Sequence, residues 1–108
     1  MISLNDFQRG ALETAVYPEQ HRVTYPALGL AGEAGEVADK VKKVLRGDGP
    51  LDEERKRAIA QEIGDVLWYC AVLASDLGFG LEEIGSMNYS KLSSRKERGM
   101  LGGDGDDR

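Results

Sequence analysis

Two long segments of helical periodicity flank the tetrapeptide Gly47-Asp48-Gly49-Pro50, and this break constrains the fold more than any other feature. Leu30, Ala34, Val37, Val41, Val44 and Leu45 form the apolar stripe before it, and Ile59, Ile63, Val66, Cys70, Leu73 and Leu77 the stripe after it. Both stripes repeat with a helical rather than a strand period. A connection so short and so rich in glycine and proline joins two helices only as antiparallel neighbours. Pro26 suits the first turn of the earlier helix and Gly47 stops it. Asp52 caps the later helix, Glu53 and Glu54 complement its N-terminal dipole, and Gly78 closes it.

Two further helices are expected. Ser3-Leu4-Asn5-Asp6 matches a capping box, and Leu4, Phe7, Ala11, Leu12, Ala15 and Val16 keep a helical period until Pro18. The fourth helix runs from about residue 81 to residue 98. With no strand signal, the expected fold is all-α and four-helix bundle-like: one domain over residues 1–98, with residues 99–108 a flexible Gly-rich tail and a candidate lid.

Composition narrows the partners. Nineteen acidic against fourteen basic residues leave a net charge of −5, which argues against nucleic acid or an anionic membrane as a partner. The longest apolar run, Val66 to Ala74, is too short to span a bilayer, and the N-terminus has no basic, apolar leader. The single Cys70 excludes an intramolecular disulfide and reads as a small core residue in a reducing compartment, so the cytoplasm is expected. Opposite the stripe of the third helix stand Trp68, Gly64, Ala71 and Ser75. A helix apolar nearly all round needs a second burial surface, and a homo-oligomer is the expected supplier.

The hairpin also carries chemistry. Glu33 and Glu36 precede the break and Glu62 and Asp65 follow it, and both cross pairs, Glu36 with Glu62 and Glu33 with Asp65, are centred on residue 49. Acidic pairs spaced i, i+3 arise about three times by chance in a chain this acidic, so spacing alone is no argument. Position is. On helical projection both pairs fall on the same flank of their stripes, and in an antiparallel pair corresponding flanks meet. Four carboxylates so gathered repel one another unless a cation neutralises them. Oxygen ligands without His or Cys suit Mg²⁺ or Mn²⁺, with more than one ion allowed, and such ions complete their shells with water and substrate phosphates. Gly29, Gly32, Gly35 and Gly64 surround the pairs, which signals either close helix packing or ligand access.

On the fourth helix Asn88, Lys91 and Arg95 share a side with Ile84, Met87 and Leu92. They read either as snorkelling stems or as a cationic lining for triphosphate oxygens. Lys40, four residues after Glu36, has a helical ion pair as its first reading and a phosphate contact as its second. His21, the sole histidine, receives no role. Phe7, Tyr17 and Trp68 are candidates to stack on a base or to fill the core. The tail lacks the Gly-Lys-Ser/Thr ending of a P-loop.

Glu33-Ala-Gly-Glu36 followed by Glu62-Ile-Gly-Asp65 resembles the ExxE…ExxD pattern of the MazG-like nucleoside triphosphate pyrophosphohydrolases. Leu30-Ala31-Gly32, Asn88-Tyr89-Ser90-Lys91-Leu92 with Arg95, and the Gly-Gly-Asp-Gly-Asp-Asp-Arg ending extend the resemblance over nearly the whole chain. It implies an all-α dimer or tetramer in which Glu33, Glu36, Glu62 and Asp65 bind Mg²⁺ or Mn²⁺ and water cleaves a (d)NTP between its α- and β-phosphates. The products would be a nucleoside monophosphate and pyrophosphate. By the same resemblance Asn88, Lys91, Arg95 and, in its second reading, Lys40 become substrate contacts. Some phage members act on guanine nucleotides, so (d)GTP in nucleotide-pool control, in a bacterial or phage-infected cytoplasm, is one expectation. Phosphoribosyl-ATP hydrolysis and a non-catalytic helical oligomerisation module are the alternatives.

Overall fold

The computed structural model describes residues 1–102. Its elements are α1 (Leu4–Glu13), a 3-10 turn (Glu19–His21), α2 (Thr24–Leu45), α3 (Glu53–Asp76) and α4 (Leu81–Glu97), and the described residues contain no strand. The candidate lid falls mostly outside the described residues. No single helix among them is long and apolar enough to cross a membrane.

Local signals set most boundaries. The Ser3 hydroxyl accepts from the Asp6 amide at 3.0 Å, and the Asp52 carboxylate accepts from the Arg55 amide at 2.9 Å, each satisfying a donor the helix leaves open. Gly47 at φ 92° and Gly78 at φ 86° end α2 and α3 in the left-handed region that costs a glycine little. Helix α1 stops short of the expected Pro18. The Thr14 amide and hydroxyl both turn back to the Ala11 carbonyl, at 3.1 and 2.9 Å, and Val16, read from its period as a core residue, is 90% exposed.

Helix α3 is the hub. It pairs along its length with α2, receives α1 on another face, and turns through 99° into α4, which packs on α1 and α3. The core sits where α1, α3 and α4 meet: Ala11, Ala71, Val72, Ala74 and Leu81 are buried, with Phe7, Ala15, Tyr17, Trp68 and Cys70 packed against them. Gln8 staples this corner, its amide donating to the carbonyls of Ala71 and Phe79 while its oxygen accepts from the Leu81 amide at 3.0 Å. Asn5 and Glu82 exchange backbone-to-side-chain bonds and so cap α4 from α1.

One expectation is corrected here. The Trp68, Ala71 and Ser75 side of α3, assigned from sequence to a second copy of the chain, is covered within the chain by α1. Ile63 and Leu77, expected in the core, are each 54% exposed. A helix apolar on every side does not announce which side its own chain will cover. Cys70 is half-buried as expected, and burial pushes its thiol above the usual value.

Candidate metal centre

The antiparallel α2/α3 hairpin brings Glu33, Glu62 and Asp65 together: one carboxylate oxygen from each lies within 4.8 Å of the other two. Partial desolvation pushes the Glu33 carboxyl above its ordinary range, and a hydrogen bond with Glu62 and the charges of Asp65, Glu62 and Glu36 push the same way. Glu36 therefore sits close enough to be felt. It remains exposed and outside the trio, although sequence placed it there as an equal. Three converging oxygens with no nitrogen or sulfur ligand fit a hard divalent cation, whose charge would offset the repulsion they impose on one another.

Lys40 supplies the nearest compensation. Its ammonium lies 3.7 Å from Glu62 across the hairpin, with the two side chains 34% and 20% exposed. The recorded pair thus crosses to α3 and does not run along α2 to Glu36. Beyond Lys40, toward the turn, a small groove of about 140 Å³ is lined by Lys40, Lys43, Arg55, Ala58 and Ile59.

On the other side of the trio opens a cavity of about 340 Å³ lined by Thr14, Glu33, Asp65, Trp68 and Tyr69. The Trp68 indole N–H donates to the Thr14 hydroxyl at 2.8 Å, and its ring meets Tyr69 edge-on at 4.9 Å. Burial raises the Tyr69 phenol, as do Tyr25, Glu33 and Asp65. Of the aromatic candidates, Trp68 borders this cavity, Tyr17 stacks on Tyr25 at 4.9 Å, and Phe7 joins the core. Tyr69 and Thr14 were not singled out from sequence. Tyr69 had a signal in its place one turn after Asp65 on the same flank, whereas Thr14 had none, because nothing local says that α1 ends beside the hairpin.

The fourth-helix candidates are not gathered with the carboxylates. Asn88 is exposed, Lys91 half-buried and Arg95 only 3% exposed, on a helix that leaves α3 at 99°, and none lines the cavity beside Glu33 and Asp65. His21 is exposed in its 3-10 turn.

Comparison with known proteins identifies the family. The MazG nucleotide pyrophosphohydrolase domain matches residues 23–100, which hold the hairpin and α4. The Gene 37 protein of Mycobacterium phage L5 is 43% identical over 109 residues, covering 94% of this chain and 96% of its own length. The uncharacterized protein YvdC of Bacillus subtilis (strain 168) is 35% identical over 74 residues, 63% of this chain and 70% of its own. No solved structure matches.

Proposed function

The chain belongs to the MazG nucleotide pyrophosphohydrolase family, and from that premise we propose that it is a Mg²⁺- or Mn²⁺-dependent (d)NTP pyrophosphohydrolase releasing (d)NMP and pyrophosphate. The observation that carries this reading is the convergence of Glu33 from α2 with Glu62 and Asp65 from α3.

In this reading Glu33, Glu62 and Asp65 hold the ion, which when bound supplies an acidified water and charge neutralisation for the phosphates. Glu36, open to solvent at the rim, takes the water's proton. Water attacks the α-phosphorus and the α,β-bridging oxygen leaves with the pyrophosphate. No protein nucleophile is required. The cavity beside Trp68 and Tyr69 takes the nucleoside. In a homo-oligomer in the cytoplasm, exposed Asn88 and half-buried Lys91 serve the substrate of a neighbouring copy.

The deciding experiment incubates the protein with Mg²⁺ and a panel of ribo- and deoxyribonucleoside triphosphates, dGTP included, and with phosphoribosyl-ATP, then separates products. Monophosphate and pyrophosphate in equal amounts are expected from at least one triphosphate. Release of orthophosphate instead, or no turnover of any triphosphate, would falsify the proposal.

A further inference from the structure

We infer that the groove formed by Lys40, Lys43 and Arg55 is the seat of the pyrophosphate end of the substrate, so that a nucleotide lies along the hairpin with its base away from the turn. The inference rests on the proposed function for the identity of the ligand, and on the layout of the hairpin for its place.

Along the α2/α3 seam three zones follow one another. The aromatic cavity shares Glu33 and Asp65 with the carboxylate trio, and the cationic groove shares Lys40, which pairs with Glu62 of that trio. The sequence of zones is aromatic, anionic, cationic. A nucleoside triphosphate has the matching order: a flat base, an α-phosphate that needs a cation between itself and carboxylates, and two outer phosphates that carry most of the charge. Laid the other way, the outer phosphates would meet aromatic walls and the base three cations.

One cation of the groove is fixed in place and two can exchange partners. The Arg55 guanidinium donates to the Asp48 carbonyl at 2.9 Å and lies over Gly49, where a Cβ would stand 2.7 Å from its Nη2. It is thus fixed by the turn, and among the described residues no carboxylate forms an ion pair with it. Lys43 is paired with Asp39 at 3.0 Å, and Asp39 is shared with Lys42 at 3.1 Å, so Asp39 can keep one lysine when a phosphate takes the other. Lys40 has the most to exchange. A divalent ion held by Glu62 would take its partner and repel its ammonium, and its flexible stem already lines the groove. With a divalent ion held by Glu62, the Lys40 ammonium, 3.7 Å from that carboxylate, would turn to the outer phosphates. Charge-assisted bonds to phosphate oxygens are the stronger class of hydrogen bond.

The test measures binding and does not depend on turnover. Inorganic pyrophosphate, and separately a nucleoside monophosphate, are titrated calorimetrically into the Mg²⁺-loaded full chain, and Mn²⁺ binding is followed by electron paramagnetic resonance. Lys43→Met and Arg55→Met should each weaken pyrophosphate about tenfold, leaving the monophosphate within a factor of about two. Lys40→Met should weaken pyrophosphate and tighten Mn²⁺. Pyrophosphate affinity unchanged in Lys43→Met, a variant that spares the turn, overturns the groove, as does an equal loss for both ligands. Mn²⁺ binding unchanged or weakened in Lys40→Met overturns the exchange. Pyrophosphate bound as described by a protein that hydrolyses no triphosphate would sink the proposed function and leave the groove standing.

Discussion

Asp76 shows how one side chain can hold the segment that precedes the candidate site. Val23 has φ 68° and ψ −57°, the tight γ-turn closed by the Thr24 amide on the Arg22 carbonyl at 2.8 Å, a strained conformation for a β-branched residue. Asp76 compensates by accepting from the Val23 amide at 2.8 Å, the Tyr17 hydroxyl at 2.8 Å and Arg22 Nε at 3.3 Å. Desolvation alone would raise its carboxyl, but these donors win and hold it below its ordinary 3.8. The stabilisation is therefore full above about pH 4 and is lost as pH falls through the depressed folded-state value. Asp76→Asn should cost roughly 2 kcal/mol at pH 7, and urea melts should show the gap to wild type closing only in acid. On the alkaline side, burial and then Asp76 push the Tyr17 phenol up to about 12, so stability kept below pH 10 is lost between 10 and 12, and tyrosinate absorbance should show one late-titrating tyrosine. At the metal centre Glu36→Gln should lower kcat on the order of 100-fold with Mn²⁺ still bound, whereas Glu62→Gln should lose the ion. Equal loss of Mn²⁺ in both variants would return Glu36 to the ligand set.

The glycines of the hairpin separate two explanations that sequence left open. A Cβ on Gly29 would stand 2.1 Å from the Tyr69 ring, so Gly29 exists for packing, while Gly32, Gly35 and Gly64 have open space where a Cβ would go. Gly29→Ala should destabilise by about 1–3 kcal/mol, whereas Gly64→Ala should stabilise the free chain by up to ~1 kcal/mol through helix propensity. Thermal melts decide this, and a stabilised Gly64→Ala that has lost turnover would show that substrate or a second copy approaches there. The same contrast explains what was legible in the sequence. Helix ends and the antiparallel hairpin were, because caps, glycines and period are local signals, and the mirror about residue 49 set Glu33 opposite Asp65, with Glu62 one turn before Asp65 on the same flank. The buried side of α3, the cross-hairpin partner of Lys40 and the rim position of Glu36 were not, since each depends on helix rotation finer than an ideal projection resolves. The placement of α4 was illegible for another reason: Ile84, Met87 and Leu92 are 37%, 59% and 41% exposed, so its pattern does not point at its own chain's core.

As a whole the single chain is open for its size. Its surface of 7699 Å² stands well above the ~5,900 Å² usual for a monomer of 11.8 kDa, a surplus larger than the ~800 Å² each partner gives to a standard interface. The Cα radius of gyration is 16.6 Å, where about 13 Å is usual at this length. Three alanines, a valine, a leucine and Pro26 make up the buried apolar set among the described residues, while Leu28 is 70%, Ile63 54%, Met87 59% and Tyr89 75% exposed. The case for a homo-oligomer therefore passes from the Trp68 side of α3, which α1 fills, to the outer faces of the hairpin and α4. Sedimentation equilibrium should give a mass at least twice that of the chain. Ile63→Asp, on an exposed α3 face away from the carboxylates' flank, should shift that mass toward the monomer and lower the melting temperature, because a charge is tolerated on a solvated face and costly in an interface. A wild-type monomer at micromolar concentration, with Ile63→Asp melting like wild type, would mean that the exposed apolar faces stay solvated and that Asn88 and Lys91 have no neighbouring copy to serve.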